Sequence, residues 1–245
     1  MVVRVVREDV KVGFLAKRAA DRNKGFTALA GSGVLVPERV AHEGPGKTAV
    51  SNVNDYEIGQ MVEDKGVYLG IWRPVDREGR KLNTEFNVFA APKDTRFLTN
   101  TKSGKLATYN DDIKRIAGLR DICGHDGVTL ANDTAIYEAV RTGNHAALAK
   151  WHMPVKELVN GRNIDGDEIQ SDNLYAHKDK GALKGTFTDK VGSVYALWYW
   201  TASEPRGGPS CVYGVGFTDG FVDWAHKDFN DLSSRPVRAE LRPAA

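Results

Sequence analysis

Cysteine is scarce in this chain, and a dominant charge is missing. Its 245 residues hold two cysteines, Cys123 and Cys211, too far apart in sequence for a metal or redox motif and too few for a disulfide framework. The 34 basic and 32 acidic residues nearly cancel to a net charge of +2. That leaves no clustered positive field of the kind nucleic acid requires, so no nucleic-acid partner is expected. Long apolar runs are also missing, which excludes a membrane-spanning helix. The stretch from Met1 to Phe26 is broken by charges every few residues. It has no apolar core of a signal peptide, so the expectation is a soluble protein without a secretory address and without membrane insertion.

The usual catalytic signatures do not occur. There is no Gly-x-Ser-x-Gly elbow, no His-Glu-x-x-His pair and no Cys-x-x-Cys, and the six histidines are scattered without ligand spacing. Cys123, His125 and Asp126 do stand together, in a glycine-flanked turn. A reactive thiolate would need an electropositive surrounding that the neighbours do not supply, and a small buried cysteine beside a polar turn fits better. The run Ala41-His42-Glu43-Gly44-Pro45-Gly46-Lys47-Thr48 ends like a phosphate-binding loop. It carries Ala41 where the first glycine belongs, and Asn, Asp and Ser follow it rather than a helix-forming stretch, so a glycine-rich turn is expected. Asp165-Gly166-Asp167-Glu168 lacks the alternating oxygen ligands of a calcium loop and reads as a glycine-centred turn. No metal, no cofactor and no catalytic residue is therefore expected, and the chain is read as non-enzymatic.

The pattern that is present divides the chain in two. Residues 1–62, with Val2, Val3, Val5, Val6, Val10 and Val12 followed by Gly- and Asn-rich punctuation, read as a small β-rich module for attachment or oligomerisation. Residues 63–245 read as an α+β domain. Gly66 to Trp72 form a strand closed by Pro74. Asn110-Asp111-Asp112 cap a helix with Ile113 and Ile116 on one face and Gly118 at its end, and Asp133 caps a second helix through Ile136, Ala139 and Val140 to Gly143. Pro154 opens a third, short helix with Val155, Leu158 and Val159 facing inward. Residues 160–193 read mostly as loop. From Trp198 to Arg238, aromatic anchors alternate with turn-forming runs, the pattern of short strands joined by irregular loops.

Four ordered pieces carry a resemblance: Trp151-His152-Met153-Pro154-Val155-Lys156-Glu157-Leu158, Trp198-Tyr199-Trp200-Thr201-Ala202-Ser203-Glu204, Val215-Gly216-Phe217-Thr218-Asp219-Gly220 and Arg235-Pro236-Val237-Arg238. Together they resemble the Lcl C-terminal domain family, over roughly residues 66–241. The resemblance implies a C-type-lectin-like fold, with short helices packed on small antiparallel sheets. Some members resemble the variable proteins of diversity-generating retroelements, in which adenine-directed mutagenesis rewrites codons near the C-terminus. A template codon AAC or AAT, with its adenines replaced, never yields Lys, Glu, Gln, Met or Trp. Between Pro205 and Ala239 only Trp224 and Lys227 are of those types.

The resemblance implies a variable region at 205–233 that binds a protein or glycan on a cell surface. Its expected binding residues are Gly207, Gly208, Ser210, Cys211, Tyr213, Gly214, Gly216, Phe221, Val222, Asp223, Ala225, His226, Phe229, Asn230 and Asp231. Strand alternation is read with Tyr213, Val215 and Phe217 inward and Val212, Gly214 and Gly216 outward, the glycines leaving room for variation. Phe221 and Phe229, in polar loops, are expected at the surface. Trp198, Trp200, Phe217, Trp224 and the 235–238 strand form the expected scaffold. A patch of this size binds modestly alone, so a homo-oligomer is expected, in a phage virion or as a bacterial protein. Two alternatives remain: a fixed-specificity adhesin for glycans, and an oxidase of the formylglycine-generating type, whose cysteine pair would have to be Cys123 and Cys211.

Overall fold

In the computed structural model, residues 56–95, 98–100, 105–106, 108–119, 127, 130–187, 197–229 and 232–243 are described. The first 55 residues with their Gly-Lys-Thr motif, the Cys123, His125 and Asp126 turn, and Asn230 and Asp231 lie outside the described residues. What is described is α+β, with short helices set among small antiparallel sheets.

The first sheet has four strands in the order β1 (Met61–Val62), β2 (Gly66–Trp72), β3 (Phe86–Ala90) and β9 (Val237–Leu241), every neighbour antiparallel. It therefore takes in residues before 63. The central strand β3 reads Phe-Asn-Val-Phe-Ala and is buried along its whole length, so both of its faces are covered. Pairing with β9 brings the C-terminal strand back beside strands encoded some 150 residues earlier, Phe86 opposite Leu241 and Ala90 opposite Val237. β4 (Leu98–Asn100) and β5 (Lys105–Leu106) make a separate small hairpin.

The helices form where the apolar stripes place them, with small shifts at their ends. α1 (Tyr109–Ala117) buries Ile113 and Ile116, and its cap is Thr108, two residues before the expected Asn110, in a reciprocal capping box with Asp111. α2 (Asp133–Arg141) is capped by Asn132, whose side chain accepts from the Ala135 amide at 3.0 Å. Asp133, the expected cap, is instead the first helical residue, and both its oxygens take the Arg77 guanidinium at 2.7 and 2.8 Å. α3 (His145–Leu148) and α4 (Lys156–Asn160) follow, the latter ended by Gly161 in the left-handed region at φ 80°. Within the segment expected to be mostly loop, α5 (Leu174–His177) and a 3-10 turn at Gly181–Leu183 are formed. Among the described residues no helix is long and apolar enough to cross a membrane.

The second sheet, β6 (Trp198–Trp200), β7 (Cys211–Gly216) and β8 (Val222–His226), is joined to the first by the segment from Trp151 to Leu158. His152 exchanges both backbone hydrogen bonds with Val237 of β9, at 2.8 and 3.0 Å. The Pro154 carbonyl accepts from the Ala202 amide at 2.7 Å, and the Lys156 amide donates to Ser203 Oγ at 2.9 Å. Ahead of β9, Arg235 is completely buried. It is held by Asp94 at 2.7 Å and by the Ala91 carbonyl at 2.9 Å, and it lies 4.1 Å over the Phe187 ring.

Candidate functional site

Register fixes which side chains of the second sheet share a face. Tyr199 pairs with Val215, Val215 with Val222, Tyr213 with Trp224 and Cys211 with His226, so these residues lie on one side. Trp200 pairs with Gly214, Trp198 with Gly216 and Val212 with Ala225, and these lie on the other.

The side holding Trp200 is sealed around its centre. Trp200 and Val212 are fully buried, and Trp200 meets Tyr109 of α1 edge to face at 5.5 Å. The expected orientation of β7 holds for Val215 and Phe217, which are buried, but Val212, Gly214 and Gly216, expected outward, also point into packed structure, and Tyr213, expected inward, is half-exposed. The physical reason is close approach. A Cβ on Gly214 would stand 2.5 Å from Leu232, and one on Gly216 would stand 3.1 Å from both the Trp198 ring and Asp219. These two glycines make room for their neighbours rather than for variation.

On the Tyr199 side, one end is filled and the other is open. Tyr199 packs against Phe187 and Phe217 at 5.3 and 4.4 Å and donates its hydroxyl to Asp94 at 3.0 Å. At the other end Tyr213 and Trp224 stand opposite each other, half-exposed, with His226 exposed beyond them. The Lys156 ammonium sits 4.9 Å over the Tyr213 ring and donates to the Asn163 carbonyl at 2.6 Å. Burial lowers this amine to about 8, with the Arg162 charge acting in the same direction. Burial likewise raises the Tyr213 hydroxyl, against the pull of the Arg77 cation.

The 204–210 loop beside Tyr213 is tied down through Glu204 and Arg206. Glu204 pairs with Lys227, and Arg206 reaches Asp165 with two nitrogens at 3.2 and 3.1 Å and the Arg77 carbonyl at 2.7 Å. Asp165 is held below the usual carboxylate range by this hydrogen bonding. Asn163 Oδ1 accepts the amides of Asp165, Gly166 and Asp167, making the expected glycine-centred turn. Among the described residues no His, Cys, Asp and Glu side chains are gathered to hold a metal.

The expected binding residues are thus not brought into one patch. Gly207, Ser210 and His226 are exposed, and Gly208, Tyr213, Val222, Asp223 and Phe229 are half-buried. Cys211, Gly214, Gly216 and Ala225 are buried, which removes them as direct ligand contacts. Phe221 is half-buried rather than a free loop phenylalanine, edge to face with Trp198 at 6.0 Å on the side of the sheet opposite Tyr213. Trp224, expected in the scaffold, lies at the open end instead. Lys156 and Arg206 were not singled out by sequence. A lysine beside Glu157 in an apolar helix stripe was the one signal for the first, and none pointed to the second.

No known family model matches the chain. Among curated proteins it is similar to 1-(5-phosphoribosyl)-5-((5-phosphoribosylamino)methylideneamino) imidazole-4-carboxamide isomerase of Chlorobium luteolum, at 29% identity over 93 residues, 38% of this chain and 35% of that protein. The match spans about a third of the isomerase's length.

Proposed function

We propose that this chain is a non-enzymatic ligand-binding protein. Its domain is a C-type-lectin-like variant that presents the open end of the β6–β7–β8 sheet to a protein or glycan on a cell surface. The observation that carries the reading is the placement of Tyr213 opposite Trp224. Two half-exposed aromatics stand on strands whose other side is filled by Trp200 and Val212. Aromatic side chains on a rigid base are the usual anchors of recognition surfaces.

Under this reading the variable region narrows. Gly207, Gly208, Ser210, Tyr213, Phe221, Val222, Asp223, His226 and Phe229 are the expected positions that reach solvent. Retroelement diversification would be aimed at their codons, and display as a homo-oligomer on a phage particle or bacterial surface would supply avidity.

The test is twofold. The DNA beside the gene should hold a near-copy of the 3′ coding region, with adenines at those codons, next to a reverse transcriptase. Mismatches at other bases would remove the diversification claim. Fluorescent multimers of the chain should stain host-type bacterial cells, and Tyr213→Ala should abolish the staining while the protein stays folded. Unchanged staining would place the surface elsewhere.

A further inference from the structure

The segment 73–85 and the loop 163–169 face each other across an open cleft of about 740 Å³, within the roughly 300–1,000 Å³ range of small-ligand sites. Its walls are held from behind by two neighbouring residues of α4. Glu157 Oε1 accepts the Trp72 indole N–H at 2.6 Å and faces the Val75 amide at 3.5 Å. Lys156 holds the Asn163 carbonyl at 2.6 Å. Val75 and Asn163 both line the cleft, one on each wall. The Asn163 side chain then fixes its own loop through three backbone amides. The cleft is therefore preformed, which spares a ligand the cost of ordering it.

Its lining states the chemistry of an occupant. The charged groups are Arg73 and Lys81 against Glu85, Asp167 and Glu168. Arg73 is paired with Glu85 at 2.7 Å, and Glu168 with Arg162. With no cationic excess, a sulfated or phosphorylated ligand finds no attraction here. Asn83 and Thr84 present amide and hydroxyl groups at the rim, beside small apolar areas from Pro74, Val75, Leu82 and Ile169. Hydrogen-bonding capacity of both signs next to modest apolar surface suits a ring that carries hydroxyls on its edges and C–H groups on its faces.

We propose that this cleft is a second ligand site, which takes a neutral oligosaccharide and works independently of the Tyr213 and Trp224 surface. Its lining residues lie outside 205–233, so its specificity is fixed wherever Arg206, which joins Asp165 on one wall to the Arg77 carbonyl on the other, is kept.

The test titrates the full chain with neutral hexasaccharides of gluco, manno and galacto configuration, and with a heparin hexasaccharide as the anionic comparison. Calorimetry and amide NMR are the readouts. At least one neutral sugar should bind with Kd below about 1 mM and shift amides within 81–84 and 163–169. Asn83→Ala and Thr84→Val, both at the rim, should each weaken it by roughly three- to tenfold. Trp224→Ala should leave it unchanged, whereas the same variant weakens cell staining if the surface proposed above is right. The cleft proposal is overturned if no neutral hexasaccharide binds, if shifts fall only within 210–226, or if heparin binds as well as the neutral sugars.

Discussion

A methyl group on Gly214 would stand 2.5 Å from Cδ2 of Leu232. That contact decides how the C-terminal sheet must be understood, because it makes β7 cross beneath a packed leucine at a position that looks empty in sequence. Gly214→Ala is expected to cost about 1–3 kcal/mol, the usual penalty for overfilling a packed interior. Exposed Ser210, four residues earlier, should accept Ala within about 0.5 kcal/mol. Urea unfolding of both variants beside the parent checks this. Equal midpoints for Gly214→Ala and the parent would mean that Leu232 yields and that the position is open to variation after all.

Arg235 and Asp94 form a second long-range lock, both side chains almost wholly removed from water. Removing one partner strands the other charge in the interior, so Asp94→Ala and Arg235→Met should each lower stability by about 3–5 kcal/mol. Because they act on one interaction, the double variant should cost less than the sum. Additive losses in denaturant midpoints would show that the two residues are not energetically coupled.

These two locks mark where sequence reading stops. The α+β class, the three principal helices and the strands at Gly66–Trp72, Trp198–Trp200 and Cys211–Gly216 were legible, because apolar periodicity and turn residues are local signals. The facing of β7 was not. Alternation yields two sets of residues but not the side that is covered, and Tyr213, Val215 and Phe217 outweigh Val212, Gly214 and Gly216 in apolar bulk. Only the position of Trp200 and Leu232 shows that the small set is packed over as well as Val215 and Phe217. The burial of Arg235, Lys156 and Glu157 was illegible for a related reason. Charged residues belong at the surface unless a partner compensates them, and Asp94 lies 141 residues from Arg235. Trp224 misled in the opposite direction, since a tryptophan in a short strand reads as an anchor whether it faces the core or a ligand.

Buried titratable groups in the segment linking the sheets give the domain opposing pH responses. Burial pushes Glu157 up from 4.5 to about 8, against the Trp72 hydrogen bond that favours its charged form, and the nearby Asp133 charge acts with burial. The folded chain keeps this proton where the unfolded chain has released it, so the contribution falls as pH rises from 4.5 through about 8. His152 is fully buried and lowered from 6.5 to about 4. The unfolded chain gains its proton first, so the His152 contribution is lost as pH drops from 6.5 through about 4. The two slopes oppose each other where they overlap. Glu157→Gln should remove the decline above pH 6.5, and His152→Gln should remove acid sensitivity, each by on the order of 1–4 kcal/mol. Urea midpoints measured across pH decide it; parallel curves for Glu157→Gln and the parent would show that the carboxyl does not titrate in that window.

Tolerance to substitution separates a variable surface from a packed strand without knowledge of the ligand. Ser210, Tyr213, Asp223 and His226 reach solvent, whereas Cys211, Gly214, Gly216 and Ala225 alternate with them or lie beside them in sequence and are buried. Saturating each position in a displayed library and selecting for protease resistance reads folding alone. The first set should accept most residue types, because a surface change away from special features shifts stability by about 0.5 kcal/mol or less. Tyr213 should be the most restrictive of that set, since Lys156 rests on its ring. The second set should retain only small residues: at Gly214 the Leu232 methyl blocks a side chain, and at Gly216 the Trp198 ring does so. A library in which Gly214 and Gly216 vary as freely as Ser210 and His226 would return the glycines to the variable surface and overturn the division drawn from the fold. A library in which both sets are equally intolerant would make this stretch an ordinary structural meander and remove it as the recognition surface, without bearing on the cleft at 73–85 and 163–169.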